Sequence, residues 1–274
     1  LRSNILMAER RQKIGLKTPM PILHATFCGS PGTGKTTIAK LYGKMLKELG
    51  ILESGHVVFE KRSTLLGRYY SSPHKKTLAA IEKAKGGILF IDEAYLLYKP
   101  NDPKDPGADV LETLLTEIDH NNNEWVLVMA GYTEEMNAML SVNPGLSSRI
   151  PMSNRLIFED YSIDELMSIA DKYCDENNYF LSTEARIALR NKIETDYRRK
   201  DSTFGNGRYV ISLLTNNVLQ AMSLRLRREK NPSFIQLMRI EKEDIPEINL
   251  KENPFEKLNS MIGLKKLKME LEKH

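Results

Sequence analysis

Apolar and polar positions along the chain switch between two periods, and the switching divides the sequence into elements. Residues 4–13 are polar and helix-friendly, and Pro19 and Pro21 end that stretch. Residues 22–28 form a short apolar run that reads as a buried strand. A glycine-rich loop follows. Then comes a helix over 35–49, in which Ile38, Leu41, Met45 and Leu46 recur at helical spacing. Gly50 and Gly55 close it. Residues 56–60 suggest a second strand and 75–85 a second helix. The run 87–91 has almost no polar relief, as expected of a strand buried on both faces. A polar, proline-rich insert over 99–107 reads as a solvated loop and precedes a helix over 109–118. Two more strands are expected at 125–129 and 156–158.

Strands that alternate with helices of this length argue for an α/β domain, with a parallel sheet covered on both faces. After Asp160 the pattern changes. Residues 162–177, 182–200 and 208–228 all read as helical, with no convincing strand. We therefore expect an α/β domain over 1–160 and a helical domain over 161–238. Residues 239–274 carry Pro246 and Pro254 and then an amphipathic run over 258–271.

Composition narrows the class without changing that outline. A chain that is 41% hydrophobic and 28% charged is an ordinary soluble globular protein. Its net charge of +4 is small for 274 residues and gives no concentrated basic stripe of the kind nucleic acid needs. The basic clusters at Arg198-Arg199-Lys200 and at 225–228 read as solvated helix faces. The two cysteines, Cys28 and Cys174, cannot form a disulfide framework or a four-ligand zinc site, so a reducing, cytoplasmic compartment is expected. No apolar run approaches the roughly 20 residues a membrane span needs. The sequence starts at Leu1 and reads as a fragment, so an organelle-targeting segment ahead of it stays open.

The chemistry concentrates in Gly29-Ser30-Pro31-Gly32-Thr33-Gly34-Lys35-Thr36, with Thr37 next to it. This is a complete G-x-x-x-x-G-K-[ST] phosphate loop between a strand and a helix. Its glycines let backbone N–H groups turn inward around phosphate oxygens, and the helix N-terminus adds partial positive charge. Lys35 would reach the β- and γ-phosphates of ATP, and the Thr36 hydroxyl would hold Mg²⁺. A second constellation lies at the end of 88–91, where the buried strand runs into Asp92-Glu93. An acidic residue at the carboxyl end of a parallel strand faces the same edge as the glycine loop. Asp92 could order the Mg²⁺ water shell and Glu93 could polarise the attacking water.

Three strings carry a more specific resemblance. The first is Gly86-Gly87-Ile88-Leu89-Phe90-Ile91-Asp92-Glu93-Ala94-Tyr95. The second is Ala130-Gly131-Tyr132. The third is Asn143-Pro144-Gly145-Leu146-Ser147-Ser148-Arg149-Ile150. Together they resemble the CbxX/CfqX branch of AAA+ ATPases, which includes red-type rubisco activases, the stage V sporulation protein K group and the cytosolic ATPases of type VII secretion. The likeness covers roughly residues 1–230. It implies a P-loop NTPase core, with a five-stranded parallel sheet between helices, followed by a small all-α lid. It also implies ATP hydrolysis at the subunit interfaces of a ring, coupled to remodelling or threading of a polypeptide through a central pore, with a hexamer or tandem modules as the assembly.

The resemblance assigns further residues. Thr133 falls where the sensor-1 polar residue is expected. Arg149 matches the arginine finger that reaches the γ-phosphate bound by a neighbouring subunit. Arg208, in Gly205-Asn206-Gly207-Arg208, matches the sensor-2 arginine, with the two glycines freeing the backbone so that a helix starts at Arg208. Arg68, Tyr69 and Tyr70 fall in the pore loop: Tyr69 matches the aromatic that grips an extended peptide, and Tyr70 stands where relatives carry an aliphatic residue. Ser71 departs from the glycine usual after that pair. The run 258–271 resembles the opening of a further module of the same family, with an ordinary amphipathic C-terminal helix as the alternative. Two other functions stay open at this point: an assembly module that binds nucleotide with little or no hydrolysis, and a nucleic-acid motor. Glu93 speaks against the first and the sparse basic charge around Tyr69 against the second.

Overall fold

In a computed structural model of the chain, the described residues are 7, 10, 11, 13–16, 21–66, 73–99, 102, 105–120 and 124–246. Arg68, Tyr69, Tyr70 and Ser71, and the run 258–271, lie outside them. The chain divides into two compact units, one of residues 1–162 with 201–209 and one of residues 163–200 with 210–274.

The first unit is built on five parallel strands: β1 (Ala25–Gly29), β2 (Val57–Lys61), β3 (Ile88–Asp92), β4 (Val126–Gly131) and β5 (Arg155–Phe158). Their order in the sheet is β2-β3-β4-β1-β5. Alternate residues of the central strands enter two separate cores. Leu89, Ile91, Leu127 and Met129 pack on one face. Ile88, Phe90, Val126 and Val128 pack on the other. A strand buried on both faces has no reason to alternate polar and apolar residues, which is why 88–91 is continuously apolar.

The helices of this unit are α1 (Lys35–Glu48), α2 (Arg62–Leu66), α3 (Pro73–Ala84), α4 (Gly107–His120), α5 (Thr133–Val142) and α6 (Pro144–Arg149). Helix α1 buries a different face from the one its apolar stripe suggests. Of that stripe only Leu46 is buried, while Ile38, Leu41 and Met45 are exposed. The buried face carries Ala39 and Gly43 instead. A Cβ on Gly43 would lie 2.3 Å from the carbonyl oxygen of Gly55, so the helix packs through its smallest residues. The exposed Ile38, Leu41 and Met45 line an apolar groove of about 790 Å³ with Pro21, Ile22 and Leu156.

One buried group makes the stability of this unit depend on pH. His24 accepts a hydrogen bond at Nδ1 from the Leu127 backbone N–H, 2.9 Å away. Its ring lies 5.8 Å from that of Trp125. Burial lowers its pKa from 6.5 to about 4. Between these values the unfolded chain binds a proton that the folded chain refuses. Stability is therefore fully present above about pH 6.5 and is lost as the pH falls toward 4. At pH 5 the loss is about 2 kcal/mol. Urea unfolding at pH 7 and pH 5 should show it, and His24→Gln should remove most of the difference. An equal drop in the variant would assign the pH dependence to other groups.

The second unit is helical: α7 (Ile163–Glu176), α8 (Thr183–Arg198), the later part of α9 (Asn206–Leu213), a π-helical turn over Leu214–Val218, α10 (Leu219–Leu226) and α11 (Phe234–Met238). The sequence pattern suggests no strand here. The structure has a two-residue parallel pair, β6 (Phe180–Leu181) with β7 (Arg239–Ile240). Two-residue strands are too short to leave a period in the sequence. Within the basic run 225–228, Arg227 and Arg228 are exposed as expected, and Arg225 is not. Arg225 donates through Nε and Nη2 to the buried Asp244 carboxylate, at 2.9 and 2.8 Å. Ser182 caps α8 by accepting from the Ala185 N–H at 3.2 Å.

Candidate active site

The glycine loop leaves the carboxyl end of β1, which lies between β4 and β5. Gly32 has φ +71° and Gly34 has φ +93°, the left-handed region that favours glycine. A Cβ on Gly32 would lie 1.9 Å from the carbonyl oxygen of Gly205, so the loop as it is folded here has no room for a side chain at that position. Gly34 caps α1 and Lys35 is its first residue. Lys35 Nζ donates to the carbonyls of Gly29 and Ser30, each at 2.8 Å, across the mouth of the loop. Thr33 Oγ1 donates to the Ser30 carbonyl at 2.8 Å and closes the turn. Thr36 and Thr37 are exposed on the first turn of α1.

Burial holds the Lys35 ammonium below the ordinary lysine pKa; the Asp92 carboxylate opposes this and the Arg208 charge adds to it. A Cβ on Gly32 would also lie 3.0 Å from the Arg208 backbone nitrogen, so Arg208 starts beside the loop. Asp92 ends β3, and its Oδ1 accepts from the Glu93 N–H at 3.1 Å. Glu93 itself has φ +50° and ψ +43°, a left-handed conformation that costs a residue with a side chain about 1–3 kcal/mol. Both carboxylates are exposed at the sheet edge. A 3₁₀ turn, Ala94–Leu97, follows Glu93, with Ala94 and Leu97 buried.

Thr133 is the first residue of α5, directly after β4, and is half-buried. Tyr95 of the turn and Tyr132 before α5 pack with ring centroids 5.9 Å apart. A Cβ on Gly131 would lie 2.6 Å from Cδ1 of Tyr95, which accounts for the small residue in Ala130-Gly131-Tyr132.

Residues 201–209 belong to the first unit and bring Arg208 to the loop. The structure corrects the expected start of this helix. Helix α9 begins at Asn206, not Arg208, and the left-handed residue is Asn206, with φ +47°. Gly205 serves instead by bringing its carbonyl against Gly32. Asn206 is fully buried. Its Nδ2 donates to the Pro31 carbonyl at 3.2 Å and to Asp160 Oδ1 at 3.0 Å, and its Oδ1 accepts from the Tyr161 N–H at 3.1 Å. The Gly207 N–H donates to the Gly32 carbonyl at 3.2 Å. Sequence reasoning misses Asn206, although asparagine between two glycines is a left-handed signal. Asn206→Ala should cost about 2–4 kcal/mol in urea unfolding, from unmet buried partners and left-handed strain. A cost below about 1 kcal/mol would show that this network is dispensable.

Arg149 has other partners. It ends α6, donates through Nε to Asp119 Oδ1 at 2.7 Å and through Nη2 to Asp119 Oδ2, and through Nη1 to the Gly145 carbonyl at 2.9 Å. The Asp119 carboxylate holds the guanidinium charged, and the guanidinium holds the carboxyl below its usual range. The structure thus gathers Lys35, Asp92, Glu93 and Arg208 at one sheet edge and holds Arg149 on a separate helix.

Among the described residues no cluster of three or more His, Cys, Asp or Glu side chains could hold a metal ion. Thr36 and Asp92 offer one exposed hydroxyl and one exposed carboxylate, oxygen donors of the kind Mg²⁺ accepts alongside phosphate and water. No helix among the described residues is long and apolar enough to cross a membrane.

Comparison with known proteins gives the family. Residues 25–155 match the profile of the ATPase family associated with various cellular activities (AAA), and residues 162–254 match that of the AAA lid domain. Stage V sporulation protein K of Bacillus subtilis is 39% identical over 88% of this chain and 74% of its own length. Protein CbbX of Cereibacter sphaeroides is 41% identical over 77% of this chain and 67% of its own. The chloroplastic ribulose bisphosphate carboxylase/oxygenase activase of Cyanidioschyzon merolae is 37% identical over 88% and 82%. Among solved structures, a mutant RuvB from Thermotoga maritima superposes with a TM-score of 0.52 at 21% identity, covering 88% of this chain and 66% of that one. At that identity the likeness concerns the fold alone.

Proposed function

Because the chain belongs to the AAA ATPase family, in the CbxX/CfqX branch, and is an ATP hydrolase, we propose that it hydrolyses ATP at the subunit interfaces of a ring and couples that reaction to remodelling or threading a polypeptide. The observation that supports the reading is the glycine loop with Lys35 Nζ held at its mouth and the Asp92 carboxylate acting on that ammonium, while Arg149 is turned to Asp119 on another helix.

In this reading the N–H groups of residues 29–36 and Lys35 Nζ take the phosphates of ATP. Lys35 exchanges two neutral carbonyl acceptors for anionic oxygens, which bind an ammonium more strongly. Thr36 and Asp92 would hold Mg²⁺, which supplies charge neutralisation and orientation of the β- and γ-phosphates. Glu93 polarises a water in line with the γ-phosphorus and accepts its proton. The new P–O bond forms as the bond to the β-phosphate oxygen breaks, and ADP and phosphate leave. Arg208 faces the same phosphates from its own side of the site, and Thr133 orients the attacking water. Arg149 of a neighbouring subunit stabilises the charge that develops on the γ-phosphoryl group.

The same proposal takes residues 1–160 as the nucleotide-binding domain, 161–238 as the lid, and 239–274 as a linker and the start of a following module or a C-terminal helix. Arg68, Tyr69 and Tyr70 are its pore loop, and its compartment is the cytoplasm. Mass measurement with ATP and Mg²⁺ tests the ring: particles of about six subunits are expected. A monomer at all nucleotide concentrations would contradict it.

A further inference from the structure

The proline-rich insert over 99–107 reads in the sequence as a solvated loop, yet Asp105 within it is 5% exposed. Its carboxylate is gripped by Arg62, the first residue of α2: Nη2 donates to Oδ1 at 2.5 Å and Nη1 to Oδ2 at 2.8 Å. The Gly107 N–H also donates to Oδ2, at 3.0 Å. Lys99 Nζ faces the group as well, 3.6 Å from Oδ1. A fork-to-fork pair of this kind fixes direction as well as distance.

What the pair holds is the backbone after Glu93. Arg62 Nη1 also donates to the carbonyl of Leu96, at 2.6 Å. The Leu96 N–H in turn donates to the carbonyl of Glu93, at 2.9 Å. The chain of contacts therefore runs from Asp105 through Arg62 and Leu96 to Glu93, whose backbone is left-handed. Such a conformation persists only where its surroundings over-determine it. Gly107 gives independent support. A Cβ there would lie 2.4 Å from the Leu97 carbonyl oxygen, 2.6 Å from Asp105 Oδ2 and 2.7 Å from Arg62 Nη1. The end of the insert is thus folded tightly over the clamp, with no room for one more carbon.

We infer that Arg62 and Asp105 are positioning residues for Glu93, holding the 3₁₀ turn that aims its carboxylate. The inference rests on the proposed role of Glu93 as the group that polarises the attacking water. Neither residue belongs to the set that takes the nucleotide in that proposal. Losing the clamp should therefore lower kcat and leave the KM for ATP in place. A small misplacement of a catalytic group can cost up to about 100-fold, so a fall of roughly 10- to 100-fold in kcat is expected.

The test uses the full chain with ATP and Mg²⁺. Arg62→Met combined with Asp105→Asn removes the guanidinium without stranding a buried carboxylate, and it keeps an acceptor for the Gly107 N–H. Arg62→Lys keeps the charge but loses the fork, and serves if the double variant does not fold. Both should show the lowered kcat with unchanged KM. Placed in a Glu93→Gln background, Arg62→Lys should slow hydrolysis no further, because it acts through Glu93. Wild-type kcat in a folded Arg62 variant, with Glu93→Gln inactive, would overturn the clamp alone. A further slowing in the Glu93→Gln background would also overturn it. Wild-type turnover in Glu93→Gln itself would overturn the role of Glu93 on which the inference rests.

Discussion

Replacing Glu93 with glutamine is expected to slow ATP turnover by roughly 10²–10⁴-fold while leaving ATP binding intact. The amide has the shape of the carboxylate and cannot accept the proton of the attacking water. The main-chain anchors of the residue do not depend on its side chain. Its N–H donates to Asp92 Oδ1 and its carbonyl accepts from the Leu96 N–H. The variant should therefore keep the turn and the glycine loop as they are. Single-turnover phosphate release and the lifetime of retained ATP measure the two effects separately. ATP should persist on the variant long after the wild type has converted it. Release within a few-fold of wild type would remove Glu93 from the chemistry. It would also revive the reading of the chain as a platform that binds nucleotide without needing this residue.

Arg149→Ala is expected to cost roughly 10³–10⁵-fold in turnover, as loss of an arginine finger does in other phosphoryl-transfer sites. The cost to the fold should be small. Asp119 is 53% exposed and returns to water when its partner is removed. The Leu146 N–H keeps its bond to the Asn143 side chain, so the start of α6 is unaffected. A finger that acts across an interface leaves a signature that a residue acting in its own subunit cannot. Lys35→Ala fails at its own loop but still offers Arg149 to a neighbour. Arg149→Ala offers an intact loop. Mixing the two inactive variants should restore a measurable fraction of the wild-type rate. A mixture as inactive as its components would count against the shared site.

The parts of the molecule that are legible in the sequence are those set by local pattern. The glycine loop, the apolar strand running into Asp92-Glu93 and the alternation of strands and helices each occupy a few consecutive residues, and the structure has them in that order. The parts that are not legible depend on partners far along the chain. Arg62 and Asp105 stand 43 positions apart and Arg149 and Asp119 stand 30 apart. No periodicity joins such residues. Helix α1 departs from expectation for a different reason. A period-3.6 stripe identifies an amphipathic helix but does not say which face the sheet prefers, and close packing of Gly43 on Gly55 outweighs burial of Ile38, Leu41 and Met45. Asn206 is hidden beside its two glycines, although its own side chain sustains the left-handed turn through three hydrogen bonds to Pro31, Asp160 and Tyr161.

The central claim is that hydrolysis is gated by assembly, with the loop of one subunit completed by Arg149 of the next. The most direct measurement is the ATPase rate per subunit against protein concentration, for the wild type and for Arg149→Ala. The account predicts a wild-type rate that rises with concentration to a plateau, and a variant rate that stays near zero throughout. A per-subunit rate that is flat with concentration and survives the substitution would contradict it.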